Sequence, residues 1–574
     1  MPSRRPTGLR HAALAAGALL LAAATEPAPG ARPQQPRAER VTLTVLATTD
    51  MHGYLYPYDY FTREKAARGL AAAATLIAEV RRETSRVLLV DCGDTIQGSP
   101  LAAVYQASRR AGATSAPEPM MLAMSHVGYD AMVVGNHEFN FGQESLAAAR
   151  GAARFPWLSA NTVSDGRLEP FAPYVVKTVA GVRVAVIGIT TPSVPQWEKP
   201  EHIRGLTWLP PEQAVERALR ALAAEKPDVT IAAVHGGLGR PPERALAGAH
   251  ELPGENPAAA IAERFPQLAA VVYGHSHRRE PELRVGNVLL VQPKNWAMDV
   301  ARIELELERE VGGAWRLLRS ASRLLPVTAE TRPDPAVLEL ARPYHEAAET
   351  ELDRPVTHAN AALSGARGHF EDSALVDAIH EVQRHYTGAP VSFASLLRDG
   401  AELRRGPVTR RELAGLYVYD NELYALEGDG RMVRSALENA ARCFLSCPEP
   451  ACERGPLRNP AVPGFNCDAA QGVEYELDLR RPEGSRVTRL AYRGEPLRDD
   501  EPLRIAVNSY RAAGSAGYSM FRDARIAWRS GREIRELMAE YFGAPRPLPE
   551  KPDGNWRLLP PRAVETLAAE APGR

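Results

Sequence analysis

Five short apolar runs that end in the same few polar residue types constrain this chain more than any other feature. VTLTVLATTD, RVLLVDCGD, DAMVVGNHE, VTIAAVHGG and LAAVVYGHSH each climb through apolar residues and stop at Asp, Asn, His or Gly. VRVAVIGIT repeats the apolar part, and Ala-rich stretches of helical character lie between the runs. Short β-rich bursts alternating with helical stretches define an α/β layer fold. In such folds ligand chemistry gathers in the loops beyond the carboxyl ends of the strands.

Those loops hold an unusual set of groups. TTDMHG offers Asp50 and His52, VDCGDTIQG offers Asp91 and Asp94, and VVGNHEFNFG offers Asn136, His137 and Glu138. AAVHGG adds His235, and VVYGHSH adds His275 and His277. Taken singly, a loop His is usually a surface or hydrogen-bonded group, and an Asp after a strand is usually a cap or turn former. The joint order is different, because five capping accidents would not each follow an apolar strand with Asp-x-His, Gly-Asp, Gly-Asn-His-Glu and Gly-His-x-His among them. Two metals a few ångströms apart need a shared carboxylate and imidazoles. Such a pair suits phosphoryl transfer, since it yields hydroxide near neutral pH and clamps the oxygens of an in-line displacement.

At 574 residues the chain exceeds one core, so two domains are expected. The first runs over 41–325, a polar helical linker (PDPAVLELARPYHEAAETELDRPV) falls within 326–355, and a second α/β domain covers 356–545. A Pro-rich tail, loose or surface-wrapping, is expected over 546–574. Lys and Arg (69) balance Asp and Glu (70), so no basic excess invites a nucleic acid polymer, and a nucleotide ligand would be small.

The N-terminus has the parts of a secretory signal over 1–25. Arg4, Arg5 and Arg10 precede an apolar core from Ala12 to Ala24, too short to span a bilayer. An N-terminal anchor is the competing reading. No cysteine follows the core, which argues against a lipoprotein, and Ser3-Arg4-Arg5 is a weak hint of twin-arginine export. A flexible Pro-rich leader fills 26–40. Export to the periplasm or medium follows, with no stable membrane span after signal removal. Cys443, Cys447, Cys452 and Cys467 crowd one segment, and in an oxidising compartment they form two disulfides with three pairings open. A zinc site is disfavoured, since the segment has no CxxC pair and no His. Cys92 is expected to stay a free thiol.

The order DMH, GDTIQG, GNHEFNFG and GHSH resembles the calcineurin-like metallophosphoesterases, specifically the exported 5′-nucleotidase superfamily, over nearly the whole mature chain. The resemblance implies a four-layer α-β-β-α metallophosphoesterase domain, then a 5′-nucleotidase-type C-terminal α/β domain that binds the nucleoside. It implies that Asp50, His52, Asp94 and His277 hold one metal, and that Asp94 bridges to a second held with Asn136, His235 and His275. His137 would stabilise the transition state or protonate the leaving oxygen. Asp91 is the weaker candidate, since the bridging carboxylate of the family follows the glycine that Gly93 matches. Such ligands accept two divalent ions of Zn, Mn, Co or Fe.

YPYDYF, LYVYDNELY, NPAVPGFNCDAAQGVEYELD and NSYRAAG look closer to the 2′,3′-cyclic-nucleotide 2′-phosphodiesterase/3′-nucleotidase branch than to 5′-nucleotidases. So does Asn140, where 5′-nucleotidases typically place an Asp beside the catalytic His. By the same resemblance Tyr419 and Tyr510 would stack on the two faces of the base, and Arg398 would touch substrate. Arg404, Arg405, Arg410 and Arg411 compete for that last place. The usual GGDG appears as GSAG, with Ala516 in place of the Asp. The expected activity is hydrolysis of 2′,3′-cyclic nucleotides to 3′-nucleotides and on to nucleosides. The rivals are a 5′-nucleotidase or nucleotide-sugar hydrolase, a hydrolase of sulfur-bound substrates, and a surface binding protein that lost catalysis.

Overall fold

The computed structural model of the chain describes residues 38–240, 252, 254–310, 313–419, 421–448 and 451–570. The expected signal (1–25) and nearly all of the leader lie outside them. Two six-stranded sheets form the first half. One runs Arg316–Pro326, Asp299–Arg309, Glu39–Thr48, Val87–Asp91, Ala131–Val133, Trp157–Leu158. The other runs Glu280–Val285, Val288–Gln292, Ala270–Tyr273, Val229–His235, Val182–Thr190, Tyr174–Val179.

The apolar runs are continuous because both faces of each sheet are covered. Side chains alternate between faces along a strand. Val45, Ala47, Leu88, Val90, Ala131 and Val133 therefore meet Val184, Val186, Ile231 and Ala233 between the sheets. Leu46, Leu89 and Met132 point the other way, against helices Leu70–Glu83, Pro100–Arg110, Pro119–Val127 and Pro335–Leu352. On the far side Ala185, Ile187 and Ile189 pack on Pro211–Glu225 and Ala258–Arg264. The layers are α-β-β-α.

The segment expected as a linker contains the helix Pro335–Leu352. Asp334 caps it by accepting from the Ala336 and Val337 amides, with Pro335 in the first turn. Val337, Ala341, Ala348 and Leu352 bury one face in the first core, so the helix belongs to the packing as well as to the connection. Beyond it, a five-stranded sheet runs Ala469–Gln471, Val391–Ala394, Pro502–Asn508, Glu422–Asp429, Ile526–Glu533. It shares one core with helices Ala374–Thr387, Gly430–Ala440 and Ile534–Gly543. Among the described residues no helix is long and apolar enough to cross a membrane.

The tail corrects one expectation. Trp556–Leu559 adds a strand parallel to Glu474–Asp478, and the helix Pro561–Glu570 follows. Leu548, Trp556, Leu558, Ala563 and Leu567 are buried in the second core. Apolar residues at this density, each fully buried large side chain contributing about 1.5–3 kcal/mol, hold the segment in place despite its prolines. Cys443 pairs with Cys467 and Cys447 with Cys452, and buried Cys92 is free.

The tail also brings Asp553 against Asp372 and Asp377. Burial, then the charges of Asp372 and Asp553, push the Asp377 carboxyl up to about 8. The folded state thus holds a proton that the unfolded chain releases near pH 4, so this group's contribution is complete at low pH and falls as pH rises to about 8. Asp377→Asn should raise the melting temperature relative to wild type far more at pH 9 than at pH 5, where only the first part of the loss has accrued. An equal difference at both pH values would rule out this linkage.

Candidate metal centre

Parallel register gathers the polar strand ends. Thr48 pairs with Asp91 and Asp91 with Met132, so the loops carrying Asp50, His52, Asp94, Asn136 and His137 leave one sheet at one end. In the second sheet Thr190 pairs with His235 and Val234 with Tyr273, which aligns His235, His275 and His277. The two sheet ends meet where the His275 amide donates to Asp50 at 2.9 Å.

The motif glycines permit this approach. A Cβ on Gly135 would overlap Asp94, and one on Gly274 would overlap Thr49 and crowd Asp50. Asp50, His52, Asp94, His275 and His277 all have φ between 48° and 70°, conformations that cost a side chain energy. Strain of this kind persists where the surroundings over-determine it, typically at ligand clamps.

Asp50, His52 and His277 each offer a ligand atom within 4.8 Å of the others, and so do Asp94, His235 and His275. Asp94 joins the two groups, its Oδ2 lying 3.1 Å from His235 Nε2 and 4.0 Å from His52 Nε2. Asn136 Oδ1 completes the second group, 3.0 Å from His235 Nε2. His52 Nδ1 donates to the Gln97 carbonyl and His235 Nδ1 to the Cys92 carbonyl, so both rings aim Nε2 inward. Glu255 Oε1 lies 3.3 Å from His275 Nε2 and orients that ring.

The electrostatics fit a pair of cations. Burial would raise Asp50, but the hydrogen bond and charge of His277 hold it well below the usual carboxylate range. Burial and then His277 lower His52 to about 3, so its ring stands neutral. Burial would lower His235 too, yet Asp94 pushes it up to about 10, the response of a site rich in negative charge. His137 lies beside these groups, with Nε2 4.0 Å from Asp94 Oδ2.

Asp91 is structural. It accepts from Thr48 Oγ1, Thr95 Oγ1 and the Gly93 amide, and burial pushes it up to about 7. Glu138, noted in sequence without a role, accepts from the amides of Gly135, Asp94 and Thr95, tying two ligand loops together. An acidic residue within GNHE was the available signal. For Glu255 there was none.

The tyrosines meet through strand register. Leu423 pairs with Asn508 in antiparallel strands, so Tyr419, just before one, and Tyr510, just after the other, share an end. Tyr419 precedes its strand and Tyr510 sits in the short helix Ser509–Ala512. They are 40% and 42% exposed, unusual for large aromatics in a domain with this much core. Tyr419 packs edge-on against Phe465, and Tyr510 lies over Arg511, whose buried guanidinium pairs with Asp468 at 2.8 Å. Arg398 lies against Gly415, with its Nε buried and without a hydrogen-bond partner. Arg411 instead joins the two domains, bonding Tyr60, Glu349 and Asp353, and Arg410 pairs with Glu351.

Residues 43–279 match the calcineurin-like phosphoesterase family, and residues 354–523 match the 5′-nucleotidase C-terminal domain. The chain is therefore a calcineurin-like phosphoesterase joined to a 5′-nucleotidase C-terminal domain, a hydrolase of a family that works with divalent metals.

Among named relatives, it is 28% identical over 592 residues to the 2′,3′-cyclic-nucleotide 2′-phosphodiesterase/3′-nucleotidase of Haemophilus influenzae, covering 91% of this chain and 88% of that one. It is 26% identical over 597 residues to the trifunctional nucleotide phosphoesterase YfkN of Bacillus subtilis, covering 93% of this chain but only 40% of that protein's length. A Staphylococcus aureus protein solved with α-ketoglutarate shares the fold, at TM-score 0.76 and 23% identity, covering 90% of this chain and all of that one.

Proposed function

We propose that the chain hydrolyses phosphate esters of nucleotides, 2′,3′-cyclic nucleotides first and the resulting 3′-nucleotides next, after export from the cytoplasm. The observation that carries this reading is the conjunction of two Asp/His groups joined at Asp94 with an exposed tyrosine pair on the second domain.

Asp50, His52, Asp94 and His277 would hold one divalent ion, and Asp94, Asn136, His235 and His275 the other. When bound, the two ions supply water activation and charge neutralisation for in-line displacement at phosphorus. His137 reaches the leaving oxygen or the developing phosphoryl charge. Tyr419 and Tyr510 stack on the base, with Arg511 beneath Tyr510, and Arg398 is a further substrate contact. The two catalytic parts fall on 41–325 and 356–545, with the helix between them as their joint. Asn140 favours the cyclic branch over a 5′-nucleotidase, since His137 Nδ1 meets its amide oxygen at 2.6 Å instead of a carboxylate. The intact ligand groups weigh against a binding protein without catalysis.

A panel of 2′,3′-cyclic, 3′- and 5′-nucleotides under Mn, Co and Zn tests the reading, with Tyr419→Ala and Tyr510→Ala beside wild type. Each tyrosine variant should raise KM for nucleotides by the worth of one stacking face, about 1–3 kcal/mol, with kcat little changed. A simple alkyl phosphate should be turned over as by wild type. Equal loss on both substrate types, with a lowered melting temperature, would make the tyrosines packing residues and remove the main support for a nucleotide substrate.

A further inference from the structure

We propose that Glu198 is a positioning residue for His137, acting through the amide of Asn140. This rests on the role given to His137 above. Glu198 caps the short helix Val194–Trp197, 58 residues from Asn140 in sequence, and is buried. Its Oε2 accepts from Asn140 Nδ2 at 2.7 Å, while its Oε1 accepts from the Lys199 amide at 2.7 Å and faces His202 Nδ1 at 2.9 Å. On the other side of Asn140, Oδ1 meets His137 Nδ1 at 2.6 Å.

The polarity of this chain is forced at one end. A carboxylate only accepts, so Asn140 must turn its NH2 toward Glu198 and its oxygen toward His137. The His137 ring then donates from Nδ1 and directs Nε2 at the metal centre, toward Asp94 Oδ2. Without Glu198 the amide is free to turn over. Its NH2 would then oppose Nδ1–H, and the ring would lose the partner that fixes its direction. An Asp in place of Asn140 would need no such control, because both of its oxygens accept. Glu198 is what an asparagine at this position requires.

The second domain braces the same segment. Lys199 Nζ pairs with Glu422 at 2.8 Å and donates to the Gly531 carbonyl at 2.8 Å. Glu422 lies three residues beyond Tyr419, so the support of His137 and the expected base clamp share one stretch of the domain interface.

The test compares Glu198→Ala, Asn140→Asp and the double variant, each loaded with two metals, on a 2′,3′-cyclic nucleotide. Glu198→Ala should keep its metals and KM while kcat falls about 10²-fold, the scale of a misplaced catalytic group. In the Asn140→Asp background, where two carboxylates would face each other, the same change should cost nothing or raise kcat, because it relieves that repulsion and orientation no longer depends on position 198. Equal loss in both backgrounds would make Glu198 merely structural, and wild-type kcat in Glu198→Ala would dismiss the relay. If Glu198→Ala folds poorly, Glu198→Gln replaces it: its amide can offer Asn140 an oxygen or an N–H, so a kcat loss suppressed by Asn140→Asp is expected, and an unsuppressed or absent loss overturns the proposal. Wild type that cleaves bis(p-nitrophenyl) phosphate but no nucleotide would sink the nucleotide reading alone, and an alkyl phosphate ester, whose leaving oxygen does need a proton, then serves for the same comparison.

Discussion

Asp94→Ala should emerge from purification without its metal pair and with turnover at background. Its Oδ2 lies 3.1 Å from His235 in one ligand group and 4.0 Å from His52 in the other, and it also faces His137 at 4.0 Å. Removing it takes a negative charge from between the two groups and leaves imidazoles facing each other, as His52 and His277 already do at 3.0 Å. Excess Zn or Mn should not restore activity. Metal analysis and one phosphoesterase assay decide the matter: two ions per chain with near-normal kcat would remove Asp94 from the bridging position.

His137→Ala should part metal binding from catalysis. His137 stands outside both ligand groups, and its Nδ1 is taken by Asn140. Metal content and KM should survive, while kcat falls by roughly 10²–10⁴-fold, the range of a lost general acid. The loss should shrink for a p-nitrophenyl ester, whose leaving oxygen needs little protonation. A variant that loses its metals on purification would make His137 a ligand and overturn this division of roles.

These two residues were legible in the sequence because each belongs to a local motif. GDTIQG and GNHEFNFG place a polar group directly after an apolar strand, and the strand alone determines which end of the sheet it occupies. Glu198 was not legible, although it supports His137. It lies in SVPQWEKP, a segment with no motif, and meets Asn140 only because the chain folds back after the strand Val182–Thr190. Glu255 and Arg511 were missed for the same reason, since each works through a partner distant in sequence, His275 and Asp468. The tail was misjudged because its prolines outweighed Trp556, Leu558 and Leu567 in a reading by composition. Burial of those side chains against Glu474–Asp478 and its neighbours is a property of the assembled core.

What the sequence determined by itself is the layer fold and the residue types gathered at its strand ends. Strand periodicity, glycine placement and side-chain chemistry are local, and a parallel sheet carries all its strand ends to one edge. The tertiary structure alone decided which cysteines pair and which arginine binds the other domain. It also decided which way an amide at position 140 must face. Those outcomes depend on approach distances of a few ångströms between segments tens of residues apart. Only the closed packing of both cores sets such distances.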